Sequence, residues 1–146
     1  MNEFEQFLNT FKWEDFSILI KELTAVDRNN LNQEMANLPS QYAYWNAVLS
    51  QAKARLDRGT YDTERYKAMK SIECQDMYKS TGKKATAKDM ENYVNSSEDY
   101  EEKSNKLITL NQLYLSLKGL VQALYAKKDM LVHLASNERA ELKLYN

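Results

Sequence analysis

Glycine and proline are almost absent from this chain, which has three glycines and one proline in 146 residues. These residue types interrupt helices most strongly, at a cost of about 1 and 3 kcal/mol relative to alanine in a helix interior. The rest of the sequence is rich in good helix formers such as Leu, Ala, Glu, Lys and Gln. The scarcity of helix breakers therefore predicts an all-α fold rather than a strand-and-turn architecture.

The first long helix is predicted over about residues 40–80. Proline fits the first turn of a helix, where its missing N–H costs nothing, so Pro39 predicts a helix start and the end of any helix before it. Apolar residues then recur at intervals of four, three and four, at Trp45, Leu49, Ala52 and Leu56. Gly59 weakens this helix by about 1 kcal/mol but need not end it.

A second long helix is predicted over about residues 97–142. A turn containing a glycine precedes it, and Thr86 with Asp89 resembles a capping pair that starts a short intervening helix. Ser96 or Ser97 can then cap the long helix. Its apolar stripe follows the heptad spacing of a coiled coil, widened by further leucines. The members are Leu107, Leu110, Leu113, Tyr114, Leu117, Leu120, Val121, Leu124 and Leu134.

Two long helices joined by a short connection should lie antiparallel, so the expected fold is a long helical hairpin. The apolar face of the second helix exceeds what one neighbouring helix can cover. This excess predicts closure by the N-terminal helices or by other subunits of a homo-oligomer. We expect residues 1–38 to form short amphipathic helices and residues 39–146 to form the hairpin, in a single domain overall.

The composition argues against several functional classes. No apolar run approaches the roughly 20 residues that span a bilayer, and the N-terminus lacks a secretory pattern, so we expect a cytoplasmic protein without a membrane partner. Cys74 and His133 are the only residues of their types, which leaves no Cys/His zinc set and no recognisable catalytic partner. The acids at 98–102 suit the start of a helix. We therefore expect no metal, no cofactor and no enzymatic activity.

Charge is distributed unevenly along the chain. Residues 1–36 contain three Lys or Arg against seven Asp or Glu, whereas residues 53–88 contain ten against five. Tyrosines are interleaved with these bases, and aromatic rings beside cations suit sequence-tolerant binding of single strands. The candidate DNA-binding residues are Lys53, Arg55, Arg58, Arg65, Tyr66, Lys67, Lys70, Lys79, Lys83 and Lys84. The alternative interpretation is a solvated helix face whose tyrosines pack on the partner helix.

The order of these features resembles the phage recombination mediator family of the UvsY type, over most of residues 30–142. Tyr42-Ala43-Tyr44-Trp45 opens the first long helix, and Lys53-Ala54-Arg55-Leu56-Asp57 resembles the family's Lys-x-Arg DNA-contacting stretch. Arg65, Lys67 and Lys70 compete with that stretch for the same role.

The resemblance implies a ring-like homo-oligomer that acts in DNA recombination and repair. Such a protein binds single-stranded DNA, displaces single-strand-binding protein and helps to load a RecA-like recombinase. Its location would be the cytoplasm, that of an infected host cell if the chain is phage-encoded.

A second hypothesis is a non-enzymatic structural or adaptor protein, such as a phage assembly factor or an inhibitor of a host enzyme. Its acidic N-terminal segment would then bind a protein partner through Phe4, Phe7, Phe11 and Trp13. This hypothesis predicts no affinity for nucleic acid.

Overall fold

The computed structural model describes residues 3–145, except for the side chains of Glu3, Phe4, Glu5 and Leu8. This part of the chain is helical apart from short connections and contains no β-strand, so the predicted all-α class is confirmed. The helices are α1 (Glu3–Thr10), α2 (Trp13–Thr24), α3 (Leu31–Ser80), α4 (Ala87–Asn95) and α5 (Glu98–Leu144), with a 3-10 turn at Arg28–Asn30. None of the helices described here is long and apolar enough to cross a membrane.

The first long helix begins earlier than the sequence predicts. α3 starts at Leu31 and continues through Pro39, so the prediction that a helix ends before this proline is wrong. An interior proline removes one backbone hydrogen bond and costs about 3 kcal/mol. However, Leu31, Leu38 and Trp45 recur at intervals of seven and are each at most 6% exposed. One continuous helix buries all three side chains, at about 1.5 to 3 kcal/mol each, which outweighs the cost of the proline.

Local signals set several of the other helix ends, and those at Gly82 and Thr86 are as predicted. The Asp27 carboxylate accepts the N–H of Asn29 at 2.9 Å and caps the 3-10 turn. Thr86 and Asp89 form a reciprocal capping box at the start of α4, in which the Thr86 N–H donates to Asp89 at 2.8 Å. That backbone hydrogen bond is the main reason why the pKa of Asp89 is lowered. Gly82, with φ of 72°, supplies the turn after α3.

The described residues group into two compact units whose limits fall inside both long helices. Unit 1 comprises the residues up to Ala52 together with those from Leu115, and unit 2 comprises Lys53–Tyr114. The expected division into residues 1–38 and residues 39–146 stays a prediction. Each unit has buried side chains of its own.

In unit 1, an aromatic cluster packs the two N-terminal helices against the start of α3. The ring centroids of Phe7 and Trp45 lie 5.3 Å apart, and those of Phe11 and Phe16 lie 5.1 Å apart. These rings therefore stabilise the chain's own fold. The buried apolar residues of unit 1 are Phe16, Leu31, Leu38, Trp45, Val48, Ala52, Leu117, Leu120, Val121, Leu124, Leu131 and Ala135.

α3 and α5 run antiparallel in unit 1. The ring centroids of Tyr42 and Tyr125 are 6.3 Å apart. Earlier in α3, Leu31 and Met35 line the same groove as Ala135 and the residues that follow it. Residue numbers therefore rise along one helix as they fall along the other.

The same antiparallel pairing occurs in unit 2. A Cβ atom at Gly59 would lie 3.2 Å from Leu110 Cδ1, so the glycine permits a close approach of the two helices. Further along α3, the Tyr66 hydroxyl is 2.7 Å from the Ser97 hydroxyl at the start of α5. The pairing of the two long helices predicted from the sequence is thus present in each unit. The buried apolar residues of unit 2 are Cys74, Val94 and Leu113.

The predicted apolar stripe of α5 is buried in part. Leu113, Leu117, Leu120, Val121 and Leu124 are buried, and Leu107, Leu110, Tyr114 and Leu134 are half-buried. The prediction of a homo-oligomer rested on leucines that widen the apolar face beyond what one neighbouring helix can cover. Two of these, Leu113 and Leu120, are only 5% and 1% exposed within a single chain. Homo-oligomerisation stays a prediction, and these two leucines no longer support it.

Candidate nucleic-acid interface

The basic segment 53–88 lies in unit 2, along the second half of α3, the turn after it and the start of α4. Side chains on a helix point in directions set by their spacing, because successive residues are rotated by about 100°. Five exposed residues separated by three, four, seven and seven positions share one side of α3. Two exposed acids, Asp62 and Asp76, lie on or beside the same side of the helix and reduce its net positive charge. We call the following five residues the cationic face: Arg58, Tyr61, Arg65, Ile72 and Lys79.

Tyr61 is the most accessible aromatic residue of unit 2. Its side chain is 64% exposed. Arg58 and Arg65 lie three residues before it and four residues after it, so both are its neighbours on the helix surface. Within the described residues, neither arginine has an ion-pair partner. An exposed ring between two uncommitted guanidinium groups can stack on a base while the arginines contact phosphates.

Other predicted cations add positive charge at a distance from Tyr61 and its two arginines. Lys79 lies 3.7 Å from Asp76, an exposed pair that contributes little stability and leaves the ammonium accessible. Lys83 and Lys84 are exposed in the turn that follows α3. Lys67 is also exposed, but it is two residues from Arg65 and therefore points to a different side of the helix.

The Lys-x-Arg pair that carries the family resemblance is less accessible than the cationic face, although Arg55 lies three residues before Arg58 and is its neighbour on the helix surface. Lys53 pairs with Asp57, and this hydrogen bond raises the pKa of the lysine. Its ammonium also lies 5.7 Å from the centre of the Tyr114 ring. Arg55 is half-buried and takes part in an interaction of its own. Because Lys53 and Arg55 are two positions apart, they are rotated by about 200° around the helix, and the two side chains point to opposite sides of α3.

Tyr66 is placed where it joins the two long helices of unit 2. Its hydroxyl lies 2.7 Å from Ser97 Oγ and donates to Asp99 Oδ2 at 3.3 Å. The ammonium groups of Lys70 and Lys103 lie 5.7 and 5.5 Å from its ring centre, within range of a cation–π contact. The ring is half-buried and already engaged, so Tyr61 is better placed to stack on a base.

Lys70 is committed within the same cluster. Its ammonium donates to Glu73 at 2.7 Å, and this hydrogen bond raises the pKa of the lysine. Its side chain is 23% exposed. Lys70 therefore has less freedom to meet a phosphate than Arg58 or Arg65 has.

Sequence reasoning missed a buried ion pair in unit 1. Lys127 Nζ lies 2.7 Å from Glu34 Oε2 and donates to the Leu23 carbonyl at 3.0 Å, with a side chain only 4% exposed. The hydrogen bond from Lys127 is the main cause of the lowered pKa of Glu34. The signal in the sequence is that Lys127 lies three residues after Leu124 and four before Leu131, inside the apolar stripe.

Metal-ligating side chains do not cluster in the part of the chain that the structure describes. No group of three or more His, Cys, Asp or Glu side chains could hold a metal ion there. Cys74 is a buried free thiol, and His133 is exposed on α5. The candidate functional site is the cationic face, because it combines an exposed aromatic ring with two exposed arginines.

Comparisons with known proteins identify a shared fold. No protein-family model matches the chain, and no curated protein sequence matches it. Among solved structures, the crystal structure of the bacteriophage T4 recombination mediator protein UvsY superposes with a TM-score of 0.73. The match covers 90% of this chain and 99% of that one, at 18% sequence identity. The resemblance predicted from the sequence is thus confirmed at the level of the fold.

Proposed function

We propose that this protein is a recombination mediator that binds single-stranded DNA. Its role would be to promote the loading of a RecA-like recombinase onto strands coated by single-strand-binding protein. One observation carries the proposal: exposed Tyr61, between the uncommitted Arg58 and Arg65, lies on a fold similar to that of a recombination mediator.

The physical basis of binding is stacking combined with phosphate neutralisation. A base stacked on an exposed aromatic ring contributes about 1 to 3 kcal/mol, largely independent of sequence. Each phosphate of a single strand that an arginine neutralises releases counterions and adds about 0.7 to the salt slope. One such face binds weakly. If the face is repeated around the expected homo-oligomer, a strand bound at one face is at a high effective concentration for the next, and overall binding tightens.

The proposed role requires binding rather than covalent chemistry, so we propose that the protein is not an enzyme. A mediator competes with single-strand-binding protein for the strand and contacts the recombinase. Both partners would be met in the cytoplasm of an infected host cell.

The test is fluorescence anisotropy of labelled oligo-dT over a range of salt concentrations. Tyr61→Ala should weaken binding by about 5- to 150-fold with an unchanged salt slope, because it removes stacking but no charge. Arg58→Ala with Arg65→Ala should lower the salt slope by about 1.4, the contribution of two phosphate contacts on a single strand. Tyr145→Ala, which removes a tyrosine 89% exposed at the end of the chain, serves as the matched control.

Two results would contradict this assignment. If oligo-dT does not bind at low salt and tens of micromolar protein, the mediator hypothesis fails. If Lys53→Ala with Arg55→Ala lowers the slope while the Arg58 and Arg65 pair does not, the DNA site lies where the family resemblance places it. Loading itself is measured as recombinase activity on coated strands with and without this protein.

An adaptor protein is the second candidate. Phe7 and Phe11 are committed to the chain's own aromatic cluster, and the side chain of Phe4 lies outside the described residues. Trp13 remains 49% exposed. Unit 1 also has an open apolar groove of about 350 Å³, lined in part by Tyr42 and Tyr125. Absence of oligo-dT binding, together with a protein partner lost on deletion of the first 26 residues, would favour this function.

A further inference from the structure

A groove runs between the beginning of α3 and the second half of α5 in unit 1. Its first part, of about 350 Å³, is lined among others by Met35 and Tyr42 on α3 and by Tyr125, Lys128 and Val132 on α5. Its second part, of about 600 Å³, shares Met35 and continues towards the start of α3 and the end of α5. Tyr125 and Val132 are 53% and 46% exposed, so the groove presents apolar surface to solvent. We call the two parts together the α3–α5 groove.

The charged side chains that line the α3–α5 groove are mostly positive. Three bases line it, Arg28, Lys128 and Arg139, against one acid, Glu138. Within the described residues, none of the three bases has an ion-pair partner. Asp129 is also exposed, but it directly follows Lys128 and is rotated from it by about 100° around the helix. A matching ligand therefore combines apolar groups with negative charge.

The tyrosines of the groove are already engaged, which disfavours a nucleic acid as the ligand. The ring centroids of Tyr42 and Tyr125 lie 6.3 Å apart, and the Lys128 ammonium lies 4.8 Å from the centre of the Tyr125 ring. Stacking of a base needs a free ring face, as at Tyr61. Aliphatic side chains such as Met35 and Val132 suit the apolar side chains of a protein instead. The groove therefore fits an acidic protein segment better than a DNA strand.

We infer that the α3–α5 groove docks an acidic amphipathic helix of a protein partner. Apolar side chains of that helix, three and four residues apart, lie in the groove, and its flanking carboxylates meet the three bases. The α3 wall offers no opposing charge, because residues 35–52 contain no charged side chain. From Leu124 to Leu142 the α5 wall is about 27 Å long at 1.5 Å per residue, which matches a helix of about 18 residues. The groove lies in unit 1 and the cationic face in unit 2, so this inference goes beyond the proposed function.

The test measures binding of two designed peptides to the full chain by fluorescence anisotropy. The first is a labelled helical peptide of about 18 residues, with leucines three and four positions apart and glutamates on both sides of that stripe. The second keeps the leucines and carries lysines in place of the glutamates. Because the bases that line the groove attract carboxylates and repel ammonium groups, the glutamate peptide should bind at least about tenfold more tightly than the lysine peptide.

Protein variants then locate the binding site of the glutamate peptide. Lys128→Glu with Arg139→Glu should weaken its binding by about tenfold or more. Val132→Glu should do the same, because it places a carboxylate in the groove beside Lys128. Lys12→Glu with Lys21→Glu makes the same change of charge at two exposed bases that do not line the groove, so it is the matched control. All these positions are exposed, and equal melting curves would verify that the variants are folded.

Several results would overturn the inference. It fails if the glutamate peptide binds no more tightly than the lysine peptide, or if the Lys128 and Arg139 variant binds the glutamate peptide as well as the control does. If folded Val132→Glu sediments differently from the wild type without any peptide, the groove is a contact between copies of this chain. If oligo-dT displaces the glutamate peptide from the wild type, the groove binds nucleic acid. Either of these last two results also overturns it.

Oligo-dT binding by the same proteins separates this inference from the proposed function. Val132→Glu should lose the glutamate peptide and bind oligo-dT as the wild type does, because Val132 does not belong to the cationic face. If the wild type binds the glutamate peptide in the groove but does not bind oligo-dT, the inference is supported and the proposed function fails. If it binds oligo-dT but not the glutamate peptide, the inference fails and the proposed function stands.

Discussion

Replacement of Lys127 by methionine tests the buried ion pair of unit 1. The substitution keeps most of the side-chain volume but removes the ammonium that contacts Glu34 at 2.7 Å and the Leu23 carbonyl at 3.0 Å. Breaking a fully buried pair costs about 3 to 5 kcal/mol, since the remaining charge is left without a partner. The Glu34 side chain is 23% exposed, so water offsets part of this penalty. We expect the free energy of unfolding to fall by about 3 kcal/mol. Roughly 1 kcal/mol of this comes from the Leu23 carbonyl, which loses its hydrogen bond.

Urea unfolding followed by circular dichroism measures this loss. At about 2 kcal/mol per M, the midpoint should fall by roughly 1.5 M with an unchanged slope. The protein concentration must be held fixed, because association would add to the apparent stability. Lys118→Met, at an exposed position of the same helix, is the matched control and should stay within about 0.5 kcal/mol of the wild type.

A second substitution identifies the source of the penalty. Lys127→Met combined with Glu34→Leu removes both charges, and replacing a buried pair by apolar side chains is often close to neutral. The double variant should therefore recover most of the stability lost in Lys127→Met. If Lys127→Met unfolds at the same urea concentration as Lys118→Met, the pair is not buried in solution, and its role in fixing α2 is refuted.

Three further predictions concern local features. Since hydrogen bonding lowers the pKa of Glu34, its contribution to stability is complete above about pH 4.3 and is lost as the pH falls through the lowered folded-state value. The difference between the wild type and Lys127→Met should shrink accordingly in unfolding curves recorded at decreasing pH. Gly119→Ala should raise the free energy of unfolding by about 0.5 to 1 kcal/mol, because the added Cβ atom enters open space. Gly59→Ala should not raise it, because the added Cβ atom would lie 3.2 Å from a leucine methyl group. Thr86→Ala should lower the free energy of unfolding by about 1 kcal/mol and speed amide hydrogen exchange in α4, because it removes the cap of that helix. Unchanged exchange rates would refute the role of Thr86 as a cap.

The error at Pro39 illustrates where sequence reasoning fails for the fold. The cost of an interior proline is local and can be estimated from the sequence. The compensating burial of Leu31, Leu38 and Trp45 depends on what packs against them, although their seven-residue spacing is visible in the sequence. At the turn around Gly82 and the cap at Thr86, by contrast, the deciding interactions join residues a few positions apart, and the predictions are confirmed.

The candidate site shows the same limit. Tyr61 and Tyr66 are five residues apart in the same basic segment, and the composition of that segment does not distinguish between them. Packing of α5 against one side of α3 engages Tyr66 and leaves Tyr61 exposed. Charge pairing likewise separates Lys53 and Lys70 from Arg58 and Arg65, because a partner on the helix surface commits one base and not another.

The sequence by itself determined that this chain is helical, that a turn lies at Gly82 and a cap at Thr86, and that its positive charge is concentrated in residues 53–88. These properties follow from backbone propensities and from interactions within a few residues. Only the tertiary structure decided which tyrosine is free to stack, that Lys127 is buried against Glu34, and that the aromatic residues of the N-terminal helices pack within the chain. Those outcomes depend on contacts between residues far apart in sequence, and local patterns do not specify such contacts.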